Sequence, residues 1–127
     1  MKKKKEPVII FGSDDRGRYE AAMKASSGRV KLISAVEFIE KMINAIKNEK
    51  ISEFRRSFRN IDTLIVRDIE TMAGKERTQE EMLEAFRSLY LDGKQVVVTL
   101  YDIPNRIKGF SRSFKGFLNM AKAIQKV

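Results

Sequence analysis

The chain of 127 residues carries 26 lysines and arginines against 17 acidic residues, a formal net charge of +9, with 43% hydrophobic residues and neither cysteine nor histidine. One domain with a real core is expected from that length and composition, and the missing residue types exclude disulfides, thiolate or imidazole metal ligands, cysteine nucleophiles and a Ser-His-Asp triad. No apolar run approaches the ~20 residues of a membrane span and no signal-peptide core follows the opening lysines, so a cytoplasmic setting is expected.

Residues 1–6 form a basic tail of charge +3, residues 103–127 carry +6, and the span between them is neutral. Basic ends of this kind attract polyanions, nucleic acid first and an anionic membrane surface second, although a lysine tail also serves plain solubility. From residue 7 onward one α/β domain is expected. Val8-Ile9-Ile10-Phe11 is an unbroken apolar run that suits a strand buried on both faces. Arg29 to Ile33 alternates like a strand nearer an edge, whereas Thr63 to Val66 and Gln95 to Leu100 are β-branched and apolar throughout. Between them, Ser34 with Glu37 has capping-box spacing and predicts a helix over Ala35 to Asn48, and Ile51, Phe54 and Phe58 predict a shorter helix over Lys50 to Arg59. Thr78 with Glu81 predicts another capped helix, closed by Asp92-Gly93. Ile107 to Ile124 reads as one basic amphipathic helix whose phenylalanines cover the sheet. The sum is a three-layer α/β/α sandwich around a mainly parallel, four-stranded sheet.

Gly12-Ser13-Asp14-Asp15-Arg16-Gly17-Arg18-Tyr19 stands where a phosphate-binding G-x-x-x-x-G-K-[ST] loop would sit, between a buried strand and a helix. Gly12 and Gly17 have the spacing. Arg18 replaces the lysine that reaches the outer phosphates, and Tyr19 replaces the short hydroxyl that holds magnesium. Asp14 and Asp15 add negative charge where an anion would rest, so a strand-to-helix turn capped by an aspartate is the expected structure.

From Arg29 onward the sequence resembles the AAA+ nucleotide-binding domain of the bacterial replication initiator DnaA. The resemblance rests on Asn48-Glu49-Lys50-Ile51-Ser52-Glu53-Phe54, on Asn60 to Glu70, on Ala73-Gly74-Lys75-Glu76-Arg77-Thr78-Gln79-Glu80-Glu81, and on Gly93 to Thr99. It implies a P-loop NTPase fold with a strand order near 2-3-1-4. Its departures imply more. Arg67 followed by Asp68 stands where the family has two aspartates, so the metal position holds a cation; the Ser-Asp sensor falls on Leu100-Tyr101; and the interface arginine falls near Phe117. The family's fifth strand and helical lid find no counterpart after the final helix. From these departures no enzymatic activity, no cofactor and no metal are expected, in a monomer that is an engineered scaffold on the initiator core. The alternative expectation is a module that binds single-stranded DNA or an initiator protomer without ATP.

For that alternative the resemblance implies a single-stranded DNA contact through Ile43, Lys75, Arg77 and Thr78. Each has a plainer structural role open to it: Thr78 as a helix N-cap, Ile43 as a core residue, Lys75 and Arg77 as solvated loop charges. No aromatic residue is interleaved with these cations to stack on bases.

Overall fold

The computed structural model describes residues 3–126. Five strands, β1 (Val8–Phe11), β2 (Val30–Ser34), β3 (Thr63–Arg67), β4 (Gln95–Leu100) and β5 (Lys122–Gln125), form one sheet in the order β2-β3-β4-β1-β5. Every neighbouring pair is parallel. The helices α1 (Asp15–Lys24), α2 (Ala35–Lys47), α3 (Ile51–Arg56), α4 (Glu76–Leu91) and α5 (Arg112–Met120) connect them. The two apolar faces of the sheet divide the core. On one face Ile9, Leu64, Val66, Val96 and Val98 meet Phe38, Met42, Met82, Phe86, Phe114 and Leu118 of the helices. On the other, Val8, Ile10, Ile65 and Val97 meet Ala21 and Ala22 of α1. Central strands buried from both sides need the unbroken β-branched runs that the sequence supplies.

Local signals explain most boundaries. The Ser34 hydroxyl accepts the Glu37 N–H at 3.0 Å, as the capping box predicts, and fixes the start of α2. The Ser111 hydroxyl does the same for α5, accepting the Phe114 N–H at 3.2 Å. Three expectations are corrected. The sheet has five strands rather than four, because the segment read as the end of a long helix leaves it at Ala121, whose backbone is extended, and continues as β5 beside β1. The strand order differs accordingly: β4 lies between β3 and β1, and β1 is flanked on both sides. Third, α4 begins at Glu76 with Lys75 at its N-cap position, so Thr78 is not the cap but lies buried within the first turn.

Candidate functional site

Two regions carry the candidate residues. The first lies at the C-terminal ends of β1, β3 and β4. Gly12 leaves β1 with φ of +146°, and a Cβ there would stand 1.4 Å from the Lys126 carbonyl oxygen, so the backbone that follows β5 passes where a side chain would be. Asp14 occupies the N-cap position of α1 and makes no side-chain capping bond. Because α1 already begins at Asp15, Gly17 falls within its first turn. The eight residues from Gly12 to Tyr19 therefore form a short turn and the opening of a helix, not a wide loop of amides around a phosphate.

Arg18 fills this turn. Its side chain is 9% exposed, and its guanidinium donates to the Gly12 carbonyl and, at 3.2 Å, to the Asp15 carboxylate. Tyr19 points outward and is exposed. Across the sheet ends, Arg67 closes β3 in register with Ser34 of β2. Asp68 follows in the left-handed region at φ 58°, its N–H donating to the Thr99 hydroxyl at 3.2 Å. The Glu70 carboxylate accepts the Tyr101 N–H at 3.0 Å. Burial pushes the Glu70 carboxyl above its ordinary range and Asp68 adds to the effect, against its own and the Tyr101 N–H and the charge of Arg18. Arg18 Nε, Arg67 Nε and Glu70 Oε2 are the buried side-chain polar atoms without a hydrogen-bond partner among the described residues. All three are at this end.

The family resemblance implies a magnesium nucleotide here, and the residues as folded do not fit one. The Arg18 guanidinium already holds the turn's carbonyl and the Asp15 carboxylate, and Arg67 stands at the position where the resemblance implies a metal-holding aspartate. Among the described residues no group of three carboxylates gathers to hold a metal ion.

The second region is the approach to α4. Lys75 and Arg77 are exposed and neither pairs with a carboxylate among the described residues. Ile43 is 41% exposed on α2, outside the core that the helical period assigned to it, and α2 packs against the 3-10 turn Ile69–Met72 that leads into Lys75. Gln79, which sequence reasoning passed over, fixes this corner. It is fully buried, and its amide nitrogen donates to the Met72 and Gly109 carbonyls at 2.8 and 2.9 Å while its oxygen accepts the Ser111 N–H at 2.7 Å. A glutamine in a run of charged residues was the available signal, since its two donors and one acceptor can join three backbone segments without burying a charge.

The bacterial DnaA ATPase domain profile matches residues 3–125. The initiator DnaA of Geobacter metallireducens is 33% identical over 120 residues, which cover 88% of this chain and 27% of that protein. The DnaA of Geotalea daltonii is 43% identical over 117 residues, 86% of this chain and 26% of that protein. The chain thus spans about a quarter of the length of the curated relatives it matches. Among solved structures, a replication initiator DnaA bound to AMPPCP and single-stranded DNA superposes with a TM-score of 0.79 at 29% identity, over 94% of this chain and 40% of that one. These matches overturn the expectation of a chain outside the enzymes, because the domain matched along nearly the whole chain is an ATPase domain. Sequence and superposition agree, and the chain belongs to the bacterial DnaA ATPase domain family.

Proposed function

We propose that this initiator-type core holds single-stranded DNA through Lys75 and Arg77, with Ile43 as an apolar contact beside them, and that this contact does not require nucleotide. The observation that carries the reading is the exposure of Ile43. Ile43 is left in solvent, as Val36 and Ile46 of the same helix are, and it is the one that the resemblance places at the DNA contact, on the helix that packs against the turn entering Lys75. The plainer roles of two residues have gone: Ile43 is not in the core and Thr78 is not a cap. The two cations at the start of α4 lie where the helix dipole also favours an anion. A DnaA that is similar over most of this chain was solved with single-stranded DNA. Thr78 is buried in the first turn and offers no exposed hydroxyl to the strand. The contact is with phosphates and reads little sequence.

The test is anisotropy of labelled oligo-dT, without nucleotide, across a salt series. Lys75→Ala with Arg77→Ala should flatten the plot of log affinity against log salt by about 1.4, from about 0.7 for each phosphate that is no longer neutralised. Ile43→Ser should weaken binding at every salt concentration and leave the slope alone. Absence of salt-sensitive binding by the unaltered chain, or an unchanged slope in the double variant, refutes the proposal. A second reading, a redesigned scaffold on the same core with no nucleic-acid task, is favoured by the clustering of Arg18, Arg67 and Leu100-Tyr101 at one end while the Ser34 cap and the core stay intact. It is the reading left if that experiment fails.

A further inference from the structure

The sequence puts the positive charge at the two ends of the chain, and the fold brings both ends to one place. Lys3 to Lys5, Lys24 at the end of α1, and Lys122 and Lys126 of the β5 edge line a single open cleft of about 750 Å³. Glu6 is the one carboxylate among its lining residues. None of the six lysines forms a salt bridge among the described residues, although the charge of Lys5 acts on the Asp62 carboxylate. The tail is tied down rather than loose: Lys4 lies over the Tyr90 ring at 5.9 Å, the Gln95 amide donates to the Glu6 carbonyl at 2.8 Å, and the Lys122 N–H donates to the Pro7 carbonyl at 2.8 Å. We propose that this face is a docking surface for the phosphate backbone of duplex nucleic acid, separate from the single-strand contact at α4.

Three observations favour that occupant. Six like charges held together repel one another, and a partner that neutralises them releases its own counterions. A duplex offers one charge per about 1.7 Å of axis, a higher density than a single strand. No aromatic side chain lines the cleft, so it lacks the stacking platform of a single-strand groove. Its apolar lining, Val8, Ala21 and Ile124 among it, belongs to the smaller core, leaving no large side chain to enter a lipid surface. Lysines on an edge strand also discourage edge-to-edge pairing. That accounts for Lys122 and Lys126 but not for Lys24 or the tail.

Geometry supports the same occupant. Lys122 and Lys126 are four residues apart on the strand and its continuation, which the Lys126 N–H extends by donating to the Phe11 carbonyl at 2.7 Å. They are therefore about 13 Å apart along the edge, close to the rise of about four base pairs. The β5 edge and α1 put Lys24, Lys122 and Lys126 on the α1 side of the sheet, and only the tail, through Lys4 over Tyr90, reaches α4 on the other side. In the plane of the sheet β5 is three strand spacings, about 14 Å, from β3.

A labelled 30-base-pair duplex of arbitrary sequence, titrated from low to moderate salt, tests the inference. The variant Lys24→Gln with Lys122→Gln and Lys126→Gln should reduce the salt slope by about 2.7, from about 0.9 for each phosphate left without its cation. Lys3→Gln with Lys4→Gln and Lys5→Gln, changes outside any helix or strand, should lower the slope as well and keeps the test open if the first variant folds poorly. The single-strand proposal is read on oligo-dT through Lys75 and Arg77 and this one on a duplex through the edge and tail lysines, so failure of one does not register in the other. Absence of duplex binding at low salt, an unchanged slope in both lysine variants, or binding only to anionic phospholipid vesicles overturns it.

Discussion

Replacing Arg18 weighs a buried charge against the stem that carries it. The guanidinium bond to the Gly12 carbonyl is charge-assisted and contributes roughly 1.5–3 kcal/mol. The arm toward Asp15 adds about 0–1 kcal/mol, because that carboxylate is 74% exposed and screened. Against these stands the desolvation of a guanidinium whose side chain is 9% exposed and whose Nε has no partner, a penalty of several kcal/mol. The terms nearly cancel, so Arg18→Met, which keeps an unbranched apolar stem, should change stability by less than about 1 kcal/mol. Arg18→Ala also loses three side-chain heavy atoms relative to Met, at about 0.8 kcal/mol each, and should lie about 2 kcal/mol below the methionine variant. Urea unfolding with unchanged m-values measures the difference, and thermal melts should separate the two by about 8 °C. If Arg18→Met falls as far as Arg18→Ala, the hydrogen bond outweighs desolvation and the reasoning is wrong.

Glu70→Gln should stabilise the protein at neutral pH. The native carboxyl binds its proton more tightly than the unfolded one, so the unaltered chain loses stability as pH rises just above the ordinary value of 4.5. The variant keeps the acceptor for the Tyr101 N–H without that slope, and urea titrations below and above this interval should show its advantage growing with pH. Gly12→Ala cannot be accommodated beside the Lys126 carbonyl and should cost at least about 2 kcal/mol. Amide exchange should then show β5 opening before the rest of the sheet. Gln79→Ala leaves two carbonyls and one N–H without their partner and should cost about 3 kcal/mol in chemical unfolding. A loss under about 1 kcal/mol would mean that water replaces the amide.

Strands buried from both sides were legible because nothing else requires four consecutive apolar residues: β1 and β4 have the bounds that their sequences suggest. Ser34 was legible because cap and capped residue lie three positions apart. Thr78 has the same spacing and fails, because its neighbour Gln79 reaches carbonyls seven and thirty positions away. That network sets where α4 begins, and no local pattern encodes it. β5 was missed for a related reason. Ile124 continues the helical period of Phe114, Phe117 and Ala121, and only its partner, the edge of β1, decides between helix and strand. The basic cleft was half visible: the sequence located charge at both ends of the chain, but pairing of β1 with β5 brings those ends together.

Charge in this molecule is thus of two kinds. At the strand ends below Gly12, cations and carboxylates face one another: Arg18 is held by Asp15 and acts on Glu70, whose own shift reflects Asp68 as well. Such a cluster satisfies itself in part and leaves Arg18 Nε, Arg67 Nε and Glu70 Oε2 without partners, the local conflict expected where a fold carries a site. At α4 and along β5 the positive charges have no internal counterpart among the described residues. Coulomb attraction to a polyanion is therefore available at those two surfaces without any rearrangement of the core. At the Gly12 turn an incoming anion must first compete with the Gly12 carbonyl and Asp15 for Arg18. This difference makes the two proposed DNA contacts independent of the Gly12 turn, and it is why each can be tested with nucleotide absent.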